Sequence, residues 1–209
     1  MIQHVLPADI ERTSMAMIQE ELEAMGIALP AQTVAVIKRV IHTTADFDYA
    51  DHLVFSENST KIAMEAIKRG ATIVTDTQMA AAGINKKTLA KFGGSVRCFM
   101  SDDDVALEAK ERGVTRASIC MERGAKIEGP VIFAIGNAPT ALIRLYEMIQ
   151  EKTVDPALII GVPVGFVNVV ESKELIMKAG VPYIVARGRK GGSNIAATIC
   201  NALMYACRE

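Results

Sequence analysis

One histidine is a candidate for acid–base chemistry. His42 lies where apolar residues spaced three and four apart predict the C-terminal end of a helix. The helix dipole favours a positive imidazolium at that end, and three aspartates follow soon after it in the chain, namely Asp46, Asp48 and Asp51. Both influences suit a general acid. The alternative is a histidine that only caps the last carbonyl groups of its helix.

A basic, glycine-rich segment could bind an anion. Residues 187–194 read Arg-Gly-Arg-Lys-Gly-Gly-Ser-Asn and stand between a predicted strand and a predicted helix. Backbone N–H groups at a helix start attract anions, and arginine can bind a carboxylate through two hydrogen bonds. The candidate ligands are Arg187, Arg189, Lys190, Gly191 and Ser193. They would hold a phosphate or a carboxylate, unless the segment is a solvated basic turn. With the acidic residues after His42, the segment predicts two opposed patches, one that binds an anion and one that keeps the histidine protonated.

Three further segments carry weaker signals. Gly161 and Gly165 follow another predicted strand and would let the backbone approach a ligand, although the same pattern is typical of a tight turn. Ser14 lies inside the predicted first helix, where serine usually faces solvent. Arg116 follows Thr115, a candidate N-cap. Neither Ser14 nor Arg116 is a strong candidate by residue type alone.

Alternating strands and helices must position these residues. Longer helices are predicted at 8–25, from about 30 to 43, and at 58–69, 138–149, 172–178 and 193–206, with shorter ones capped by Asp76 and Asn85. Strands are predicted at 53–55, 71–74, 96–99, 131–135, 158–160 and 183–186. This order predicts an α/β fold, a single three-layer domain over residues 1–209 with a mostly parallel sheet flanked by helices. Ligands then bind at the carboxyl ends of the strands.

Composition excludes several classes of protein. Lys and Arg number 23 against 24 for Asp and Glu, which leaves a net charge of -1 in 209 residues and argues against a nucleic-acid binder. No apolar run reaches the roughly 18 residues needed to span a bilayer, and we expect neither a membrane association nor a signal peptide. Four cysteines without a CxxC pair and three histidines favour a reducing cytoplasm and no metal site. Neither GxxxxGK[ST] nor GxGxxG occurs.

Six segments, in order over nearly the whole chain, resemble the precorrin-8X methylmutase family of cobalamin biosynthesis. They are Arg39–Asp48, Asp76–Met79 with Ala82–Ile84, Thr115–Ala117, Gly136–Leu142, Gly161–Val167 and Arg187–Ser193. The sequence His-Thr-Thr-Ala-Asp-Phe-Asp, which begins at His42, resembles the cobalt-precorrin-8 branch of the family more than the metal-free branch.

The resemblance implies an isomerase that moves a methyl group from carbon 11 to carbon 12 of precorrin-8 or cobalt-precorrin-8, giving hydrogenobyrinate or cobyrinate. The reaction is formally a 1,5-sigmatropic shift that a proton from His42 would assist, with Ser14 and Arg116 as substrate contacts. The resemblance also implies a cytoplasmic homodimer with its active site near the subunit interface and no external cofactor, although the substrate can carry cobalt. The alternatives are a non-catalytic corrinoid-binding or carrier protein and a nucleotide- or phosphate-dependent enzyme.

Overall fold

Six strands form one sheet in the computed structural model, which describes Leu6 and residues 9–207. The strands are β1 (Leu53–Phe55), β2 (Thr72–Thr75), β3 (Ser95–Arg97), β4 (Val131–Ile135), β5 (Leu158–Gly161) and β6 (Tyr183–Ala186). They lie in the order β1-β6-β5-β4-β2-β3. The edge strand β1 pairs antiparallel with β6, and every other neighbouring pair is parallel. The expected mostly parallel α/β sheet is confirmed.

Eleven helices surround the sheet in the described part of the chain. They are α1 (Ile10–Ala24), α2 (Val34–Thr44), α3 (Tyr49–His52), α4 (Ser59–Lys68), α5 (Gln78–Gly83), α6 (Lys86–Ala90), α7 (Asp103–Arg112), α8 (Arg116–Gly124), α9 (Pro139–Gln150), α10 (Val169–Met177) and α11 (Ser193–Ala206). Ala8, the predicted start of the first helix, lies outside the described residues. None of these helices combines the length and apolar character that a bilayer crossing requires.

The two faces of the sheet carry different helices because successive strand residues point to opposite sides. On β4, Ile132 and Ala134 pack with residues of α1, α2, α4, α5 and α11. Phe133 and Ile135 point the other way and pack with α7, α8, α9 and α10. The predicted three-layer arrangement is therefore confirmed, and a largely aliphatic core lies on each side of the sheet.

Three predicted features differ in the structure. Helix α2 begins at Val34 rather than near Pro30, because the Pro30 carbonyl accepts the N–H groups of residues 33 and 34 in a preceding turn. Helix α10 begins at Val169, after Asn168 in a left-handed conformation (φ 57°), rather than at position 172. Asp76 does not cap α5. The hydroxyl of Thr77 does so by accepting the N–H of residue 80 at 3.0 Å.

Candidate active site

The loops that follow the parallel strands meet at one edge of the sheet. Helix α11 begins there, and Ser193 Oγ lies 2.7 Å from Thr77 Oγ1 in the loop after β2. Gly136, which follows β4, lies against the same helix start, and a Cβ at this position would come within 2.6 Å of the Ser193 Cα. Only glycine allows this close approach. The predicted convergence of the strand ends is therefore present, and α11 presents its N-terminus at this edge.

A buried carboxylate organises the loop after β4. Asp76 is fully buried and accepts the backbone N–H groups of Gly136, Asn137 and Ala138 at 2.8, 2.8 and 2.6 Å. Burial raises the pKa of Asp76, because the loss of solvation outweighs the lowering by these hydrogen bonds. The carboxylate also replaces a side-chain cap for α9, since its N-cap residue Ala138 provides none. Asp76 therefore fixes the loop after β4 at the carboxyl edge, the edge of the sheet at which the parallel strands end.

The candidate acid has a partner that the sequence did not identify as such. His42 lies in the last turn of α2, and its Nδ1 atom is 2.8 Å from the Ser14 Oγ of α1. His42 is exposed and Ser14 half-buried. Among the described residues, no second hydrogen bond of the His42 ring accompanies the one at Nδ1. Thr43 Oγ1 lies 3.1 Å from Thr198 Oγ1 and joins the end of α2 to the first half of α11.

The prediction of two opposed charged patches is wrong, because residues of the acidic and basic segments contact each other. Lys190 Nζ lies 2.6 Å from Asp46 Oδ2 and 2.6 Å from Asp48 Oδ2. The Lys190 hydrogen bond lowers the pKa of Asp46, and the two carboxylates raise the pKa of Lys190. Two of the three aspartates expected to keep His42 protonated, Asp46 and Asp48, instead pair with Lys190 of the basic loop, because the fold brings residues 46 and 190 together.

The two glycine-rich loops after β5 and β6 are joined to each other. Arg189 lies over the Phe166 ring, 5.2 Å from its centroid, and Gly165 N donates to the Arg189 carbonyl at 3.2 Å. Phe166 is 78% exposed. Arg187 turns away from this contact and lies 3.1 Å from Glu174 on α10. The predicted ligands Gly165 and Arg189 therefore lie together, whereas the side chain of Arg187 lies apart.

The remaining predicted glycines have different environments. A Cβ at Gly191 (φ +155°) would overlap the carbonyl oxygen of Val162, so this loop can pass the end of β5 only with glycine there. Gly161 is buried as the last residue of β5 and faces the side chains of Val185 and Leu142. Gly161 therefore allows close packing inside the sheet, and only Gly191 belongs to the exposed loop.

Arg116 lies on the other helix layer. It is the first residue of α8, its side chain is exposed, and Nη1 lies 3.4 Å from the Met100 carbonyl oxygen. The predicted N-cap Thr115 is confirmed, since its hydroxyl accepts the N–H of Ser118 at 3.2 Å. Thr115 also contacts Thr140 at the start of α9, at 2.9 Å. Arg116 thus belongs to the carboxyl edge but makes no contact with His42.

The sequence prediction missed one residue of the basic loop's support. Lys173 on α10 is fully buried, and its Nζ donates to the carbonyl oxygens of Gly188 and Lys190, each at 2.8 Å. Its spacing from Val169 and Ile176, both buried on the same helix, would have placed it on the inner face of α10. The helical spacing therefore indicates a buried position for Lys173, whereas its residue type indicates an exposed one.

Comparisons with known proteins identify the family. A family model described as precorrin-8X methylmutase matches residues 9–206. The chain belongs to the precorrin-8X methylmutase family. The cobalt-precorrin-8 methylmutase of Salmonella typhimurium is 48% identical over 176 residues, which are 84% of this chain and 82% of the relative. That of Priestia megaterium is 42% identical over 95% of this chain and 88% of its own. The precorrin-8X methylmutase of Pseudomonas aeruginosa is 41% identical over 93% of each.

A solved structure supports the same family. The crystal structure of precorrin-8X methyl mutase from Thermus thermophilus superposes with a TM-score of 0.86 at 34% identity, covering 96% of this chain and 98% of that one. Methylmutases are isomerases that move a methyl group within one molecule. The family and the shared fold make this protein an enzyme of that class in corrin biosynthesis.

Proposed function

We propose that the protein moves the methyl group on carbon 11 of cobalt-precorrin-8 to carbon 12 and releases cobyrinate, with His42 as the general acid. The relatives in Salmonella typhimurium and Priestia megaterium are cobalt-precorrin-8 methylmutases, and the one in Pseudomonas aeruginosa is named for precorrin-8X. The first two names and the His-Thr-Thr-Ala-Asp-Phe-Asp wording favour the cobalt form as the substrate. The hydrogen bond between Ser14 and His42 is the observation that carries the proposal.

The Ser14–His42 pair suits a proton donor. When the ring is an imidazolium, both of its nitrogens carry a proton. Nδ1–H then donates to Ser14 Oγ, which leaves Nε2–H to protonate the conjugated system of the substrate. After that transfer the ring is neutral, and Nδ1 still donates to the same hydroxyl. The bond to Ser14 therefore fixes the ring before and after the step, while the added proton lowers the barrier and traps the product tautomer.

The protein would hold its substrate through the carboxylates of the substrate. Corrin precursors carry acetate and propionate carboxylates around a flat macrocycle, and guanidinium groups bind such groups in two-point fashion. Arg189 lies beside the start of α11, whose N-cap Gly192 makes no side-chain hydrogen bond, so its first N–H groups add to the attraction of an anion. Lys190 and Arg187 already contact carboxylates of the protein. Arg189, Gly191 and Ser193 are therefore the ligands we favour most in this loop, with Arg116 on the opposite side of the edge.

A second copy of the chain would complete the site. Ile10 and Met17 flank Ser14 on α1 at helical spacing and are 55% and 50% exposed, and Met25 further along is 56% exposed. Exposed apolar residues in one stripe are typical of interaction surfaces. We therefore assign a homodimer in which this face of α1 is covered near His42. The free state of all four cysteines suits a reducing cytoplasm.

The proposed reaction needs no external cofactor. The bond broken at carbon 11 and the bond formed at carbon 12 belong to the same molecule, so that the electron count balances without an oxidant or a reductant. Cobalt, when present, enters with the substrate. Residues of the chain have only to bind the macrocycle, orient it and lend one proton, which is returned when the macrocycle loses a proton, because substrate and product are isomers.

Absorbance spectroscopy on purified protein tests the proposal. We expect the parent to convert cobalt-precorrin-8 to cobyrinate faster than it converts precorrin-8. His42→Ala should slow turnover by at least about 10²-fold while it retains corrinoid binding, and His52→Ala is the matched control with near-parent rates. Binding without conversion by the parent would support the alternative of a carrier protein. Turnover by His42→Ala at the parent rate would refute the acid role.

A further inference from the structure

Lys173 is a buried charge outside the proposed catalytic pair. Its side chain has no solvent exposure, and its Nζ donates to two backbone carbonyl oxygens at 2.8 Å. No carboxylate of the described residues lies within ion-pair distance of this nitrogen. Because it is buried, Lys173 cannot touch a substrate in the loop outside, and it can act only through the backbone that it holds.

The burial of this ammonium opposes stability. Taking a charge out of water costs several kcal/mol, and neutral carbonyls compensate for less of that cost than a carboxylate does. Burial accordingly lowers the pKa of Lys173 to about 8. A methionine of similar length would fill the same space without this cost. The charge therefore contributes something other than packing, and the two carbonyls that it contacts indicate what.

Those carbonyls belong to the neighbours of Arg189 on both sides. Lys173 binds the oxygen of Gly188 and the oxygen of Lys190, so the Arg189 backbone is fixed before and after its Cα. A third hydrogen bond, from Gly165 N, holds the Arg189 carbonyl itself. The position of one arginine is thus determined by three contacts from two other elements.

Arg189 also differs from the other cations of its loop. Arg187 contacts Glu174, and Lys190 contacts Asp46 and Asp48. Within the part of the chain that the structure describes, Arg189 contacts no carboxylate, and its guanidinium rests on the exposed ring of Phe166. A guanidinium that has no anionic partner and whose backbone is held rigid is preorganised to bind an anion from outside the protein.

We propose that Lys173 is a positioning residue that aims Arg189 at a carboxylate of the corrinoid substrate. The proposal rests on the proposed function for the identity of the anion, but not for the ordering of the loop. It requires that the effect of Lys173 on binding passes through Arg189.

A double-mutant cycle on the dimeric enzyme tests this coupling, with calorimetric binding of cobyrinate as the readout. Lys173→Met removes two charge-assisted hydrogen bonds, and we expect it to weaken cobyrinate binding about tenfold. Arg189→Ala should weaken binding to a similar degree. The double variant should bind as Arg189→Ala does, within about twofold, because Lys173 has nothing left to position. Turnover at saturating substrate should fall less than KM rises. Lys178→Met, the same change at an exposed position after α10, is the matched control.

Independent, multiplying losses in the double variant would overturn the proposal, as would parent-like affinity in a folded Lys173→Met protein. If Lys173→Met does not fold, the shorter and neutral Lys173→Gln takes its place in the same cycle, and the same two outcomes count against the proposal.

Hydrogen exchange of residues 187–191 separates this proposal from the proposed function. Lys173→Met or Lys173→Gln should accelerate exchange of that segment, whether or not a corrinoid binds, and Lys178→Met should not. Unchanged exchange refutes the positioning role. A parent protein that fails to bind cobyrinate refutes the proposed function instead.

Discussion

Replacing Ser14 with alanine tests whether its hydroxyl orients the His42 ring, the proposed general acid. Ser14 Oγ is the single described partner of His42, at 2.8 Å from Nδ1. A hydrogen bond to a charged group contributes about 1.5–3 kcal/mol. Since His42 is exposed and water can take the place of the hydroxyl, the lower end of that range applies. A loss of about 1.4 kcal/mol in the transition state corresponds to a tenfold slower reaction. We therefore expect Ser14→Ala to lower kcat about tenfold.

The assay is a single-turnover experiment with enzyme in excess, followed by the change in the corrinoid absorption spectrum. Thr13→Ala is the matched control, because it removes the neighbouring hydroxyl on α1, whereas the hydrogen bond to the ring comes from Ser14. The double variant Ser14→Ala/His42→Ala should be no slower than His42→Ala alone, because a hydroxyl without a ring to orient has no further effect. A Ser14→Ala rate within twofold of the parent, or an equal loss in Thr13→Ala, would refute the positioning argument.

Asp76→Asn should lower the free energy of unfolding by about 2 kcal/mol in a urea titration, because an amide leaves a buried backbone N–H of residues 136–138 without an acceptor; an unchanged midpoint would contradict this. Met17→Glu should convert the proposed dimer to a monomer in light scattering, because it puts a charge on the exposed stripe of α1; a dimer that persists at micromolar concentration would count against the proposed interface. Lys190→Met should lower the free energy of unfolding only slightly near neutral pH, because the ion pair is part-exposed and screened by water. Lys190 lowers the folded-state pKa of Asp46, so this contribution is present above the ordinary aspartate pKa and is lost as the pH falls through the lowered one. A difference that does not shrink as the pH falls below the ordinary aspartate range would contradict it.

The fold could be predicted from local patterns because each pattern has a local cause. β4 and β5 are buried on both faces, and an uninterrupted apolar run in each strand indicates this directly. The caps of α6 and α8 were correct, since Asn85 and Thr115 bind N–H groups three residues away. Asp76 was assigned to the wrong helix because its acceptors are used by residues 60 to 62 positions further along the chain. Sequence proximity favoured α5, whereas the parallel pairing of β2 with β4 brings α9 closer.

The candidate site could likewise be predicted where local contacts determine it, but not where distant contacts do. The position of His42 at a helix end could be predicted, because helical period and residue type determine it. Its partner could not, since Ser14 is 28 residues away and depends on how α1 packs on α2. The aspartates after His42 were given a role from their position in the chain alone. The partner of Asp46 is Lys190, 144 residues away, and no pattern within either segment indicates that pairing.

Two charged residues are buried although their residue types predict exposure. Lysine and aspartate are rarely fully buried, so a reading by residue type places both Lys173 and Asp76 at the surface. The helical period of α10 puts Lys173 inside, and Asp76 directly follows β2, whose last three residues are buried. Such a conflict between residue type and pattern is expected where function constrains the fold. Each charge fixes the backbone of a loop at the carboxyl edge, one through N–H groups and the other through carbonyls. An apolar residue at either position would avoid the cost of burying a charge, but it would leave these backbone groups without a partner, so each charge keeps its loop in place through hydrogen bonds that no apolar side chain can make.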